Sequence, residues 1–87
     1  MEYNELVANV IIHDVKRAYE THTKEDIKAA LDSVKKIKNG NGDLNMDVVR
    51  IIRENGLSLV WNKNKQDTSI ECKLAVMYRG MAIEIGQ

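Results

Sequence analysis

The sequence predicts an α+β fold, with three N-terminal helices packed on a three-stranded antiparallel β-meander in the order ααα-βββ. Apolar residues recur at a spacing near 3.6 through residues 3–55, which marks helices with a buried face. From Leu57 onward the spacing becomes 2, which marks half-buried strands. The chain has no proline, so its breaks fall where Gly and Asn cluster.

The first helix is expected over residues 3–20. On a wheel of 100° per residue its apolar side chains, from Tyr3 and Leu6 through Ala8, Ile12 and Val15 to Tyr19, sweep about 240° of arc. A helix lying on one sheet needs a stripe of roughly 100° or slightly more. The surplus implies burial on two sides of the fold or against a second chain. Glu2 and Glu5 at its start and Lys16 and Arg17 near its end suit the helix dipole. Residues 20–23 form the break.

The second helix is expected over 24–38. Thr23 is its N-cap, and Asp26 three residues on makes an acidic variant of the capping box. Ile27, Ala30, Leu31, Val34 and Ile37 share one face, and Gly40 supplies a C-terminal stop. After the loop Asn39–Asp43, a third helix is expected over 45–55, capped by Asp43 or Asn45 and ended by Gly56. Val48, Ile51 and Ile52 face inward, while Asp47, Arg50, Arg53 and Glu54 face out.

Three strands follow. Leu57, Leu59 and Trp61 alternate with Ser58, Val60 and Asn62. Residues 62–67 read as a polar hairpin loop, and Ile70, Cys72, Leu74, Val76 and Tyr78 line the inner face of the second strand. Arg79-Gly80 makes a two-residue turn into Met81, Ile83 and Ile85. The outer face also turns apolar toward one end, at Val60, Ala75, Met77 and Ala82.

At 87 residues, the chain 1–87 is expected to be one domain. Hydrophobic content of 44% with no Phe leaves Ile, Val, Leu and Met to fill the core. Formal net charge is zero but unevenly spread: residues 1–15 carry three acids and no base, and residues 16–38 carry seven bases and four acids. A nucleic-acid ligand is expected to find only a local basic face here. One cysteine excludes an intramolecular disulfide. The longest early apolar run, Val10-Ile11-Ile12, is too short for a membrane span or a signal-peptide core, so a soluble, cytoplasmic chain is expected.

Chemistry-bearing motifs are sparse. The stretch Asn39–Asp47 spaces oxygen ligands like a calcium loop, but Leu44 stands where Gly is required and Arg50 where a bidentate Glu is required. His13 and His22 are nine residues apart, which is not a ligand spacing on a helix. Cys72 lies between Ile70 and Leu74 with no activating base in the sequence around it, and reads as a small hydrophobe. Lys24, Lys28 and Lys35 form a stripe beside Asp32, read as a solvated flank. No catalytic, cofactor-binding or metal-binding residues are assigned, and the chain is expected not to be an enzyme.

Two functions are expected from what remains. The leading one is a small non-enzymatic protein-binding module, homodimeric, that acts by occluding a surface. Ala8, Ile12 and Val15 on the first helix and Val60, Ala75 and Met77 on the sheet are its candidate self-association residues. At the level of fold it is similar to small accessory or inhibitor proteins of phages and mobile elements. The alternative starts from Arg50 and Arg53 on the third helix and Lys63 and Lys65 in the basic hairpin. Three helices followed by such a hairpin resemble a winged-helix DNA-binding domain across residues 1–76. That resemblance implies a recognition helix at 45–55 in the major groove and phosphate contacts from 62–67.

Overall fold

The computed structural model describes the backbone of residues 2–66 and 69–86 and the side chains of residues 2–61 and 73–86. Three helices, α1 (Tyr3–Thr21), α2 (Lys24–Val34) and α3 (Met46–Glu54), precede three strands, β1 (Ser58–Gln66), β2 (Ser69–Tyr78) and β3 (Met81–Glu84). The sheet is antiparallel in the order β1-β2-β3. The expected α+β class is present. The expected order is met in part, because a separate 3-10 turn, Lys35–Ile37, stands between α2 and α3.

The helix α1 is the hub. Both α2 and α3 pack on it, while α2 and α3 barely touch each other. Its buried residues are Val7, Ala8, Ile11, Ile12, Val15 and Ala18, which span roughly 140° of the wheel. The wide arc is therefore largely enclosed by two sides of its own fold. Ala8 and Val15 are 0% exposed and Ile12 is buried, so the expected self-association patch on the first helix is corrected: those residues are core. The surplus lies on the opposite flank, where Tyr3 is 75% and Leu6 54% exposed and Val10 is half-buried. The partner helix is too short to reach them, since α2 ends at Val34 with Ser33 bonded to Asp14.

Helix ends follow local chemistry where no distant contact intervenes. The Thr23 hydroxyl accepts from the Asp26 N–H at 3.3 Å, the expected N-cap. Asp26 does not complete a capping box. Its Oδ2 accepts from the Thr21 hydroxyl at 2.5 Å and its Oδ1 from Arg17 Nε at 3.3 Å, which ties the end of α1 to the start of α2. Asn45 caps α3 by accepting from the N–H groups of Asp47 and Val48. Gly56, at φ 88°, ends α3, with Leu57 N–H on Ile52 O and Gly56 N–H on Arg53 O. That pairing is a Schellman-type stop that needs a left-handed residue. The second helix stops short of its expected end at 38. Lys38 is extended and bridges Leu44, and Asn45 N–H reaches Ile37 O at 2.7 Å. The intervening 3-10 turn seats Ile37 in the core at 0% exposure.

The inner sheet face presents Leu59, Val76 and Ile83 in one register row, beneath the helices. Among the described residues, the largest fully buried side chains are Ile11, Ile37, Ile52, Leu57, Val15, Val34, Val48, Val49 and Val76. The hairpin outruns everything else. β3 pairs with β2 only from Ala75 to Tyr78, whereas β1 and β2 stay paired out to Gln66 and Ser69. The segment expected as a loop at 62–67 is therefore strand as far as Gln66. From Trp61 to Gln66 the arm extends about 17 Å, at the rise of an antiparallel strand.

These assignments predict two outcomes. Ile11→Ala will lower unfolding free energy by about 2–5 kcal/mol in urea melts, as buried truncations do, while Leu6→Ala will change it by less than about 0.5 kcal/mol. The Thr21 hydroxyl, then the Thr23 hydroxyl and Arg17 hold the Asp26 carboxyl below its ordinary value of 3.8. A depressed folded-state value contributes stability above the unfolded value that is lost as pH falls through the folded one. Thermal melts from about pH 5 to pH 2 will show a smaller loss of midpoint in Asp26→Asn than in the native chain.

Candidate functional site

The expected contact residues separate into surfaces of different character. Val60, Ala75 and Met77 share the outer sheet face, where Val60 pairs with Ala75 and Met77 with Ala82. Ala75 is 0% exposed, so its place among the expected self-association residues is corrected as that of Ala8 and Val15 is, while Val60, Met77 and Ala82 are half-buried. All three helices pack through the opposite, inner face, so this row forms a shallow apolar patch between Ser58 and Glu84. Beside it on β1, Trp61 points to the inner face with its partner Leu74 yet remains 67% exposed, because the arm has left the helices behind. Sequence alternation assigned Trp61 to the inner face without signalling that the face is uncovered there.

A second surface lies on α1. Leu6, Val10, His13 and Asp14 line an apolar groove of about 300 Å³ on the flank that α2 leaves bare. At its end the Asp14 carboxylate lies 3.1 Å from His13 Nδ1 and accepts the Ser33 hydroxyl through its other oxygen. These are the residue types of a hydrolytic triad in the wrong order. The carboxylate stands between imidazole and hydroxyl, so the imidazole is not placed to take the serine proton. Ser33 is itself buried, and the contact serves to join α1 to α2.

The third surface is acidic. Glu2, Glu5, Asp47 and Glu54 line a groove of about 450 Å³ between the start of α1 and α3, with Arg50 among them. Arg50 is ion-paired to Glu54 at 3.2 Å. Asn4 donates to Asp47 at 3.2 Å and accepts from Asn45 at 2.9 Å, which fixes the helix start against the α3 cap. Arg50 and Arg53 are both exposed on α3, but the face around Arg50 would meet phosphates with four carboxylates nearby. Lys63 pairs in register with Cys72 and Lys65 with Ile70. Their side chains, and that of Cys72, lie outside the described residues.

The fourth surface is one the sequence did not disclose. At the far end of α1, Tyr19 packs edge to face on Tyr78, with centroids 5.2 Å apart. The Arg79 guanidinium lies 5.3 Å from the Tyr78 centroid and 5.9 Å from that of Tyr19. Lys16 Nζ lies 5.6 Å from the same Tyr78 ring, and the His22 ring is 6.0 Å from Tyr19. Arg79 and Gly80 both have positive φ, 47° and 85°, as the primed two-residue hairpin turn requires. Placing a non-glycine residue there costs roughly 1–2 kcal/mol, a cost that Asn or Gly largely escapes. Cation–ring contacts at exposed sites are worth about 0.5–1 kcal/mol each. The two contacts of Arg79 roughly cancel its strain, so the turn itself gains nothing from arginine. The residues come from two segments, the end of α1 and the junction of β2 with its turn, which are about 60 positions apart in the chain, and no local pattern connects them.

Among the described residues, no group of three or more His, Cys, Asp or Glu is arranged to hold a metal ion. No described helix is long and apolar enough to cross a membrane. Comparison with known proteins finds no matching family model, no matching curated protein and no matching solved structure.

Proposed function

We propose that this chain is a small protein-binding module that acts by occupying a surface, without chemistry of its own, and that the β1–β2 arm is its contact element. The observation that carries this reading is Trp61, the one tryptophan of the sequence, two-thirds exposed where the hairpin passes beyond the helices. Tryptophan dominates interface energetics because it buries a large rigid area at small entropic cost. The half-buried Val60, Met77 and Ala82, on the outer sheet face at the base of that arm, supply a second contact side. A homodimer formed through the arm covers both. Double-stranded DNA bound through α3 is the rival reading, and the carboxylates around Arg50 oppose it.

Sedimentation velocity and tryptophan emission test the proposal together, since Trp61 reports on its own surroundings. With rising concentration, the native chain will shift toward a dimer as its emission moves to the blue. Trp61→Ala will weaken association by about 30-fold or more, the effect of losing a contact worth at least about 2 kcal/mol. Met77→Glu will weaken it as well if the outer face takes part. A native chain that stays monomeric with constant emission overturns the homodimer. Protein capture that is equal for the native chain and Trp61→Ala overturns the role of the arm.

A further inference from the structure

The cluster at the far end of α1 has a composition that its structural role leaves unexplained. Lys16 and Arg79 share the ring of Tyr78. Among the described residues, neither is ion-paired, whereas Arg17, the next residue along the helix, is held by Asp26. Lys16 has a helical neighbour of opposite charge, Glu20, one turn on, yet its ammonium sits over the aromatic ring instead. The result is two cations, each within 5.6 Å of the centroid of one ring. Two phenol hydroxyls complete the set, and neither bonds to a described protein group. Arg79 occupies a backbone position that asparagine would fill with less strain, so its guanidinium is held there at a conformational cost.

From this juxtaposition we propose that Lys16, Tyr19, Tyr78 and Arg79 form a phosphate-binding site, independent of the protein-binding arm. The guanidinium presents paired N–H donors that match phosphate oxygens, and the ammonium adds a second charge at adjustable distance. The aromatic rings fix both cations in place before a ligand arrives. The same chemistry serves a free phosphate and the backbone of a single-stranded nucleic acid, and two arms of one experiment separate these sources.

The test follows backbone amide resonances during titration with inorganic phosphate, against chloride at matched ionic strength. Saturable shifts are expected at Tyr78, Arg79 and Gly80 by about 50 mM phosphate, well above a Kd of about 1 mM. Lys16→Gln with Arg79→Asn will remove them. Arg79→Asn alone will keep or raise the thermal midpoint while weakening phosphate binding, which separates a ligand role from a structural one. In the second arm, a short labelled oligothymidylate is titrated by anisotropy at about 50 mM salt. Tighter binding than inorganic phosphate, with a log–log salt slope near about −1.4 for two neutralised phosphates, assigns the nucleic-acid backbone. Oligothymidylate binding no tighter than inorganic phosphate, with the amide shifts present, assigns the free anion. The proposal fails if neither ligand binds at these amides, or if the shifts persist undiminished in the double variant.

Discussion

The fold depends on enclosing one helix from more than one side. Its 19 residues carry six buried apolar side chains, and those six face neighbours that do not support each other directly. α2 and α3 meet through α1 and the inner sheet face, with little contact of their own. Removing apolar volume from the middle of α1 therefore loosens every other element at once. A pair of helices braced against each other would localise the damage. The arrangement also separates this fold from a helix-turn-helix, in which the second and third helices brace one another across a short turn.

Charge follows the same axis. The acids at the start of α1 join Asp47 and Glu54 of α3 in one groove, and the cations near its end meet Tyr78 and Arg79 of the sheet. A formal net charge of zero thus hides two ends of opposite sign, separated by about 25–30 Å, the length of a 19-residue helix. Acids at the helix N-terminus complement its dipole, so this sorting costs the helix nothing.

Where one short-range interaction decides an outcome, the sequence was readable. Thr23 and Asn45 announce helix starts because a hydroxyl or amide oxygen there meets an orphan N–H two or three residues on. Gly56 announces an end because few other residues take a left-handed φ easily. The period change at Leu57 locates the first strand to within a residue. Outcomes decided by distant neighbours were not readable. The second helix stops at Val34 because Lys38 is drawn into a bridge with Leu44. The helical wheel showed that α1 carries surplus apolar surface, but which flank stays bare depends on where α2 ends. Ala8, Ile12 and Val15 consequently lie in the core, and Tyr3 and Leu6 lie outside. Alternation gave Trp61 its face, but only the length of the arm relative to β3 leaves that face uncovered. The cation–tyrosine cluster gathers two segments far apart in the chain and had no signature at all.

The core has a consequence for the cost of folding. Among the described residues, the nine largest fully enclosed side chains are eight isoleucines or valines and one leucine, with no aromatic ring. Branching at Cβ restricts χ1 in the unfolded chain as well as in the native state. Ordering such residues forfeits little rotational freedom, about 0.5–1 kcal/mol for isoleucine against up to about 2 for methionine. A domain this small gains limited stabilisation from burial, so side chains that are already stiff before collapse suit it well. The same stiffness leaves few alternative rotamers to absorb a change of shape, and the interior should accommodate added bulk poorly.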